Sequence, residues 1–188
     1  VLGAVNMQAV WGDKDANLAQ MKAYIGQAAE QGVNILVFPE MALTGYSDLP
    51  AGEDGLKMQT RLAETVPGPS TDALLPLARQ HNMYIVYGLP QSLDGQVYNA
   101  AAVLCPDGSV LSYQKIHPVG GETNWCARGK EPLAFNTPWG PVGVSICYDT
   151  YAIPELERYY AASGARVILN PTATSRGYRQ GKWEWYFR

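Results

Sequence analysis

The chain has 188 residues, 47% of them hydrophobic and 16% charged, with a formal net charge of −3. That is enough to bury one sizeable core, so a single globular domain over 1–188 is expected. With no basic run, the balance argues against a nucleic-acid or anionic-membrane partner. Cys105, Cys126 and Cys147 are odd in number and too scattered for a disulfide framework or a Cys-x-x-Cys metal knuckle, which points to a reducing cytoplasm. No charged-then-apolar signal segment follows Val1. Nor does any apolar run approach the roughly 20 residues of a membrane span.

In chain order, Leu2 to Val10 reads as an apolar opening strand. Asp13 is placed to cap a helix running to about Gln31, with Leu18, Met21, Ile25, Ala28 and Ala29 on one stripe and Gly32 ending it. Asn34 to Phe38 is a continuous apolar run, the mark of a strand covered on both faces, and Pro39-Glu40 terminates it. Ala42 to Glu53 is loop-like, and a helix is predicted over Leu56 to Glu64. Pro67-Gly68-Pro69 is a turn, after which Ser70 is expected to cap a helix to Asn82 with Pro76 inside it. His81 then falls at a helix end.

From Met83 the period changes to that of strands. Tyr84 to Pro90, Val97 to Leu104 and Val110 to Ile116 are separated by Asp94-Gly95 and Asp107-Gly108, the pattern of an antiparallel meander. His117 to Glu131 is irregular, Leu133 to Phe135 resumes a strand, and Pro138-Trp139-Gly140 turns it back. In Pro141 to Cys147, Val142, Val144 and Ile146 alternate with Gly143, Ser145 and Cys147, so one strand face is apolar and the other ends in a thiol. A helix follows from Ile153-Pro154 to Tyr160, and Arg166 to Asn170 is one more apolar strand. The middle strands lack crossover helices, so two mixed sheets with helices outside fit better than a doubly wound sheet. Trp183, Trp185, Tyr186 and Phe187 make the last residues unusually apolar, and the chain is expected to be C-terminally incomplete.

Three chemistry-bearing residues stand at strand ends: Glu40, Lys115 and Cys147. In layered α/β proteins the open crevice lies beyond strand ends, so these side chains are candidates to converge there. They complete one another. A carboxylate desolvated by apolar neighbours has a raised pKa and takes the thiol proton, and an ammonium favours the thiolate and then stabilises the oxyanion. That is covalent acyl transfer. His117 projects to the same face as Lys115 if the strand continues, which leaves a Cys-His pair as a rival assignment.

Phe38-Pro39-Glu40-Met41-Ala42-Leu43-Thr44-Gly45-Tyr46, Tyr113-Gln114-Lys115-Ile116-His117 and Val144-Ser145-Ile146-Cys147-Tyr148-Asp149 resemble, in order, the three signatures of the nitrilase superfamily of carbon-nitrogen hydrolases. The resemblance spans essentially the whole chain. It implies an α/β fold, an α-β-β-α sandwich of two mixed sheets covered by helices, with Glu40 as general base, Lys115 as electrostatic stabiliser and Cys147 as nucleophile. Glu122 resembles a second glutamate that holds the lysine and the leaving group. True nitrilases usually follow the nucleophile with tryptophan and glutamate, whereas Cys147-Tyr148-Asp149 is similar to the amidase and carbamoylase branches. The implied reaction is therefore hydrolysis of a small amide, with no metal or organic cofactor and with a homodimer or higher oligomer as the working form. The Tyr148 amide is a candidate second oxyanion donor, and Tyr46, Trp125, Tyr148 and Thr172 are candidate pocket residues. Arg128, Arg176 and Arg179 are candidates to bind a substrate carboxylate. Three alternatives remain: a nitrilase or acyl transferase using the same triad, a non-catalytic self-associating module, and a thiol-redox protein.

Overall fold

The computed structural model describes residues 1–46 and 53–173. Its elements in order are β1 (Leu2–Ala4), α1 (Lys14–Glu30), β2 (Ile35–Val37), α2 (Glu53–Leu62), α3 (Pro69–Gln80), β3 (Tyr84–Leu93), β4 (Gln96–Leu104), β5 (Val110–Gln114), a 3-10 turn at Gly120–Asn124, β6 (Leu133–Thr137), β7 (Gly140–Val144), α4 (Tyr148–Ala152), α5 (Pro154–Ala162) and β8 (Val167–Leu169). One sheet runs β1-β2-β3-β4-β5 and the other β6-β7-β8. In the first, β1, β2 and β3 pair in parallel and the β3-β4-β5 meander is antiparallel. In the second, β6 and β7 are antiparallel and β7 and β8 parallel. Both sheets are mixed, as expected.

Two apolar layers hold the sandwich together. Met21, Ile25 and Ala28 of α1 and Leu74 and Ala78 of α3 pack with Ile85, Tyr87, Ala100 and Ala102 on the outer face of the first sheet. The opposite parity, Val86, Ala101, Val103 and Tyr113, meets Val142, Val144, Phe135 and Leu169 between the sheets. Alternation along β3 and β4 thus feeds two layers from one strand, as a period of two requires. On β7 the other face belongs to α5: a Cβ at Gly143 would lie 2.7 Å from the Tyr160 ring.

The local signals hold where they have a mechanism. The Asp13 carboxylate accepts the Ala16 N–H at 2.9 Å, capping α1. Asp94 and Gly95 take the positive φ of 51° and 74° that a two-residue hairpin turn needs. Three expectations are corrected. The opening strand stops at Ala4, and Val10 has both its N–H and its C=O taken by the buried Asn17 side chain, at 2.7 and 2.8 Å, so it has nothing to offer a sheet. The second helix ends at Leu62, because Glu64 turns to bridge Gln91, donating its N–H to Pro90 at 3.0 Å and accepting from Lys14 at 2.6 Å. Ser70 lies inside α3, bonded to the Tyr87 hydroxyl at 2.8 Å, while Thr71 Oγ1 accepts the Gly68 N–H at 2.7 Å and closes the first turn.

Candidate active site

Glu40 is placed by the way β2 ends. Beyond Val37 the chain stays bonded to β3, with Phe38 N–H donating to Val86 at 2.8 Å, Gly88 N–H to Pro39 at 3.1 Å and Leu43 N–H to Gly88 at 3.1 Å. Met41 takes φ 52° to make the turn. This wrapping needs Gly88, since a Cβ there would sit 2.3 Å from Met41 N and 2.7 Å from Glu40 Cα. Glu40 is left buried, its side chain at 0% exposure.

Lys115 extends the β4-β5 ladder by one residue, donating its N–H to the Asn99 carbonyl at 2.8 Å. Directly opposed residues of an antiparallel pair share a face, so the Lys115 and Asn99 side chains rise together. The Lys115 ammonium donates to Glu40 Oε1 at 2.9 Å and to Glu122 Oε1 at 2.8 Å. Asn99 Nδ2 donates to the same two oxygens, each at 2.8 Å. Glu122, on the 3-10 turn, is fixed from behind by the Val119 N–H on Oε2 at 2.8 Å and accepts the Tyr46 hydroxyl on Oε1 at 3.2 Å. Burial pulls the Lys115 pKa down, but the two carboxylates outweigh it and leave the ammonium more firmly protonated than usual. For Glu40, burial wins over the lysine and, with Glu122 adding repulsion, pushes the carboxyl up.

Cys147 sits at φ 47°, ψ −107°, a left-handed conformation unusual for a residue with a Cβ and the kind of strain found where a nucleophile is presented between a strand and a helix. Its N–H is bound by Asn170 Oδ1 at 2.6 Å and Pro171 O at 3.1 Å, which tie the turn to the segment after β8. Thr172 Oγ1 donates to the same Asn170 oxygen at 2.9 Å and pairs with the Tyr151 hydroxyl at 2.7 Å. Ala173 N–H reaches Glu40 Oε2 at 3.0 Å, closing the ring. Burial, then the Glu40 carboxylate, push the thiol up to about 12 against the pull of Lys115. The Lys115 ammonium does favour the thiolate, but burial and the Glu40 carboxylate outweigh it and favour the thiol.

Glu40, Lys115, Glu122 and Cys147 are thus brought together, and Tyr46 joins them through Glu122. Thr172 braces the turn under Cys147. Tyr148 is 39% exposed, but its N–H heads α4, where no intrahelical carbonyl takes it. Trp125 lines a surface cavity of about 350 Å³ with Lys57, Thr60, Arg61 and Asn124. His117 does not pair with the thiol: its Nδ1 and its N–H both go to Asp149 Oδ1, at 2.8 and 2.9 Å. Arg128 donates to the Ile116 carbonyl at 3.1 Å, while Arg176, Arg179 and the aromatic end from Trp183 lie outside the described residues. Among the described residues no cluster of His, Cys, Asp and Glu is arranged to hold a metal ion.

Asn99 carries no motif signal in the sequence, and Asp149 stands in the third signature segment with no role legible there. Asn99 is one polar residue in the apolar run Val97 to Leu104, and a buried amide in such a run is the one hint it offers. Asp149 is fully buried and gathers the Tyr113 hydroxyl at 2.6 Å, the Ile116 N–H at 3.2 Å and both His117 groups, tying the chain after Lys115 to the helix after Cys147.

The chain is similar to known proteins over most of its length. A human omega-amidase, NIT2, is 32% identical over 182 residues, covering 91% of this chain and 63% of its own length. An amidase from Nesterenkonia sp. superposes with a TM-score of 0.75 at 25% identity, covering 93% of this chain and 65% of that one. Saccharomyces cerevisiae Nit3, a member of branch 10 of the nitrilase superfamily, shares the fold with a TM-score of 0.77 at 24% identity, over 90% of this chain and 62% of that one. The chain therefore spans a little under two thirds of these relatives. With the carbon-nitrogen hydrolase family model matching residues 1–187, and glutamate, lysine and cysteine converging from the three signature segments, the chain belongs to the carbon-nitrogen hydrolase family.

Proposed function

We propose that this chain is the catalytic region of an amidase that cleaves the carbon-nitrogen bond of a small amide through a cysteine thioester. The observation that carries the reading is a buried Lys115 ammonium held by Glu40 and Glu122, with the Glu40 carboxylate against the Cys147 thiol. Glu40 Oε1 already accepts two donors, so Oε2 is the oxygen better able to take the thiol proton. As Sγ attacks the carbonyl carbon, the proton passes to Glu40 and the oxyanion forms beside the third Lys115 N–H and the Tyr148 N–H. Collapse breaks the carbon-nitrogen bond as Glu40 returns the proton to the nitrogen, and ammonia or an amine leaves. Water, deprotonated by Glu40, then attacks the thioester and releases the acid and the thiol. Glu122 holds the lysine, and no step calls on a metal or organic cofactor.

Similarity to omega-amidases favours a small amide over a nitrile, as does the Tyr148-Asp149 pair after the nucleophile. Tyr46, Trp125, Tyr148 and Thr172 are the proposed substrate-binding residues. A single domain over 1–188, a cytoplasmic location suited to three unpaired cysteines, and a homodimer or larger assembly using exposed Trp139, Tyr148 and Tyr159 belong to the same proposal. The test is ammonia release from a panel of small amides, carbamoyl compounds and nitriles, with Cys147→Ala as control. Release from amides that vanishes in the variant supports the reading. A folded protein inactive on the whole panel sinks it, and nitriles as best substrates move the chain to the nitrilase branch.

A further inference from the structure

Glu40 and Glu122 both reach for one ammonium, and two carboxylate oxygens sharing a single cation repel each other. What keeps them in place beside Lys115 is a second bridge. Asn99 Nδ2 donates one N–H to Glu40 Oε1 and the other to Glu122 Oε1, while Lys115 Nζ spans the same pair at 2.9 and 2.8 Å. Two donors and two acceptors alternate around a closed ring. The arrangement follows from the ladder, because Asn99 and Lys115 are opposed on β4 and the extension of β5 and so rise on one face.

We infer that Asn99 is a positioning residue that sets the spacing of Glu40 and Glu122 around Lys115 and leaves Glu40 Oε2 as the oxygen that exchanges protons with Cys147. Its orientation is chemically forced. Turned over, the amide would direct carbonyl lone pairs at two carboxylate oxygens, so both N–H groups must face them. The consequence is visible at the other end: Asn99 Oδ1 is buried and has no hydrogen-bond partner among the described residues. A residue kept for packing alone would not have both its donors spent on carboxylates. The bridge also lowers the proton affinity of Glu40 against the burial that raises it. This inference deepens the proposed amidase mechanism and rests on it for its effect on turnover, but the ring itself does not.

Two variants and one measurement on the unsubstituted protein test it. Asn99→Leu removes both donors together with the unmet acceptor, and Asn99→Asp replaces the donating amide by an acceptor of the same shape. In either, kcat for the best amide should fall by about 100-fold, the scale of a misplacement near 1 Å. KM should stay within about threefold, since the loss falls on the chemical step. The acid limb of the kcat/KM profile should move up by about one pH unit, because Glu40 has lost a donor to its ionised form. Iodoacetamide alkylation of Cys147 needs no substrate, and its acid limb should move the same way because thiol and carboxylate titrate as a pair. If the parent protein hydrolyses no amide, the function reading fails while the alkylation profiles still decide this one. Folded variants with unshifted limbs overturn it. In the parent protein both Asn99 Nδ2 protons should exchange slowly with solvent, and fast exchange overturns the assignment even if neither variant folds.

Discussion

Gly88→Ala is the substitution that most directly separates the placement of Glu40 from its chemistry. Position 88 lies on β3, contacts no reacting group, and keeps its glycine because the Pro39-Glu40-Met41 turn lies across it. The new methyl would start 2.3 Å from Met41 N, 2.7 Å from Glu40 Cα and 2.8 Å from Glu40 C, and all three are backbone atoms that no rotamer change can move aside. Ordinary contact begins at 3.4 Å, so the turn must retreat by roughly 1 Å. Glu40 Oε1 sits 2.9 Å from Lys115 Nζ and 2.8 Å from Asn99 Nδ2, and a 1 Å retreat takes both bonds out of range. The expected result is a loss of about 100-fold in kcat together with a stability loss of about 1–3 kcal/mol from overpacking. Amide turnover beside urea unfolding measures both. A folded Gly88→Ala protein at the parent's rate would refute the claim that this close approach sets the position of the proposed general base.

Other outcomes follow from the surrounding network. Asp149→Ala strands the buried Tyr113 hydroxyl and the Ile116 and His117 N–H groups; at roughly 1–3 kcal/mol for each group left unmet, thermal unfolding should show a loss of about 3 kcal/mol or more, and an unchanged midpoint would deny that Asp149 is a clamp. His117→Ala should leave kcat far above the about 10²–10⁴-fold loss that removing a general base causes, because the imidazole serves Asp149; a loss of that size would restore the Cys-His assignment. Stability should fall as pH rises above 9. The sign is set by Cys126 and Cys147, each pushed up to about 12 by burial from an ordinary 9.0: above pH 9 the unfolded chain releases protons that the folded one keeps, whereas below it the two states bind equally. Between pH 9 and 10 the fall in melting temperature should be shallower in Cys147→Ala, and equal slopes would contradict the raised thiol.

Residues whose role is set by local chemistry are legible in the sequence. Asp13 has a cap to make, Asp94-Gly95 a turn to close, and the apolar run at Ile35 to Val37 only the inside of a sandwich to occupy. Glu40, Lys115 and Cys147 stand out because each is a polar residue where an apolar strand stops. What escapes depends on partners distant in the chain. Asn99 acts through Glu40, 59 positions away, and nothing next to it predicts that contact. Gly88 interrupts a strand like any other glycine until the turn that lies on it is known. Val10 fails as a strand residue for the same reason, since the Asn17 amide that claims its backbone is inside a helix whose stripe reads as purely apolar.

The charge in the site explains why a thiol of raised pKa suits the proposed chemistry. Counted as formal charges, two carboxylates around one ammonium give the buried cluster one net negative charge. Ionising Cys147 by loss of its proton to solvent would add a second, in a site where burial and both carboxylates already oppose it. Passing the proton to Glu40 adds none, because the charge moves from carboxylate to sulfur and on to the carbonyl oxygen within reach of the same ammonium. The net charge stays constant from resting site to tetrahedral intermediate, so no step has to bury a new ion. Only a bound carbonyl draws the charge off sulfur. That places the demand for accuracy on the spacing of Glu40, Lys115 and Cys147 rather than on a permanently activated nucleophile.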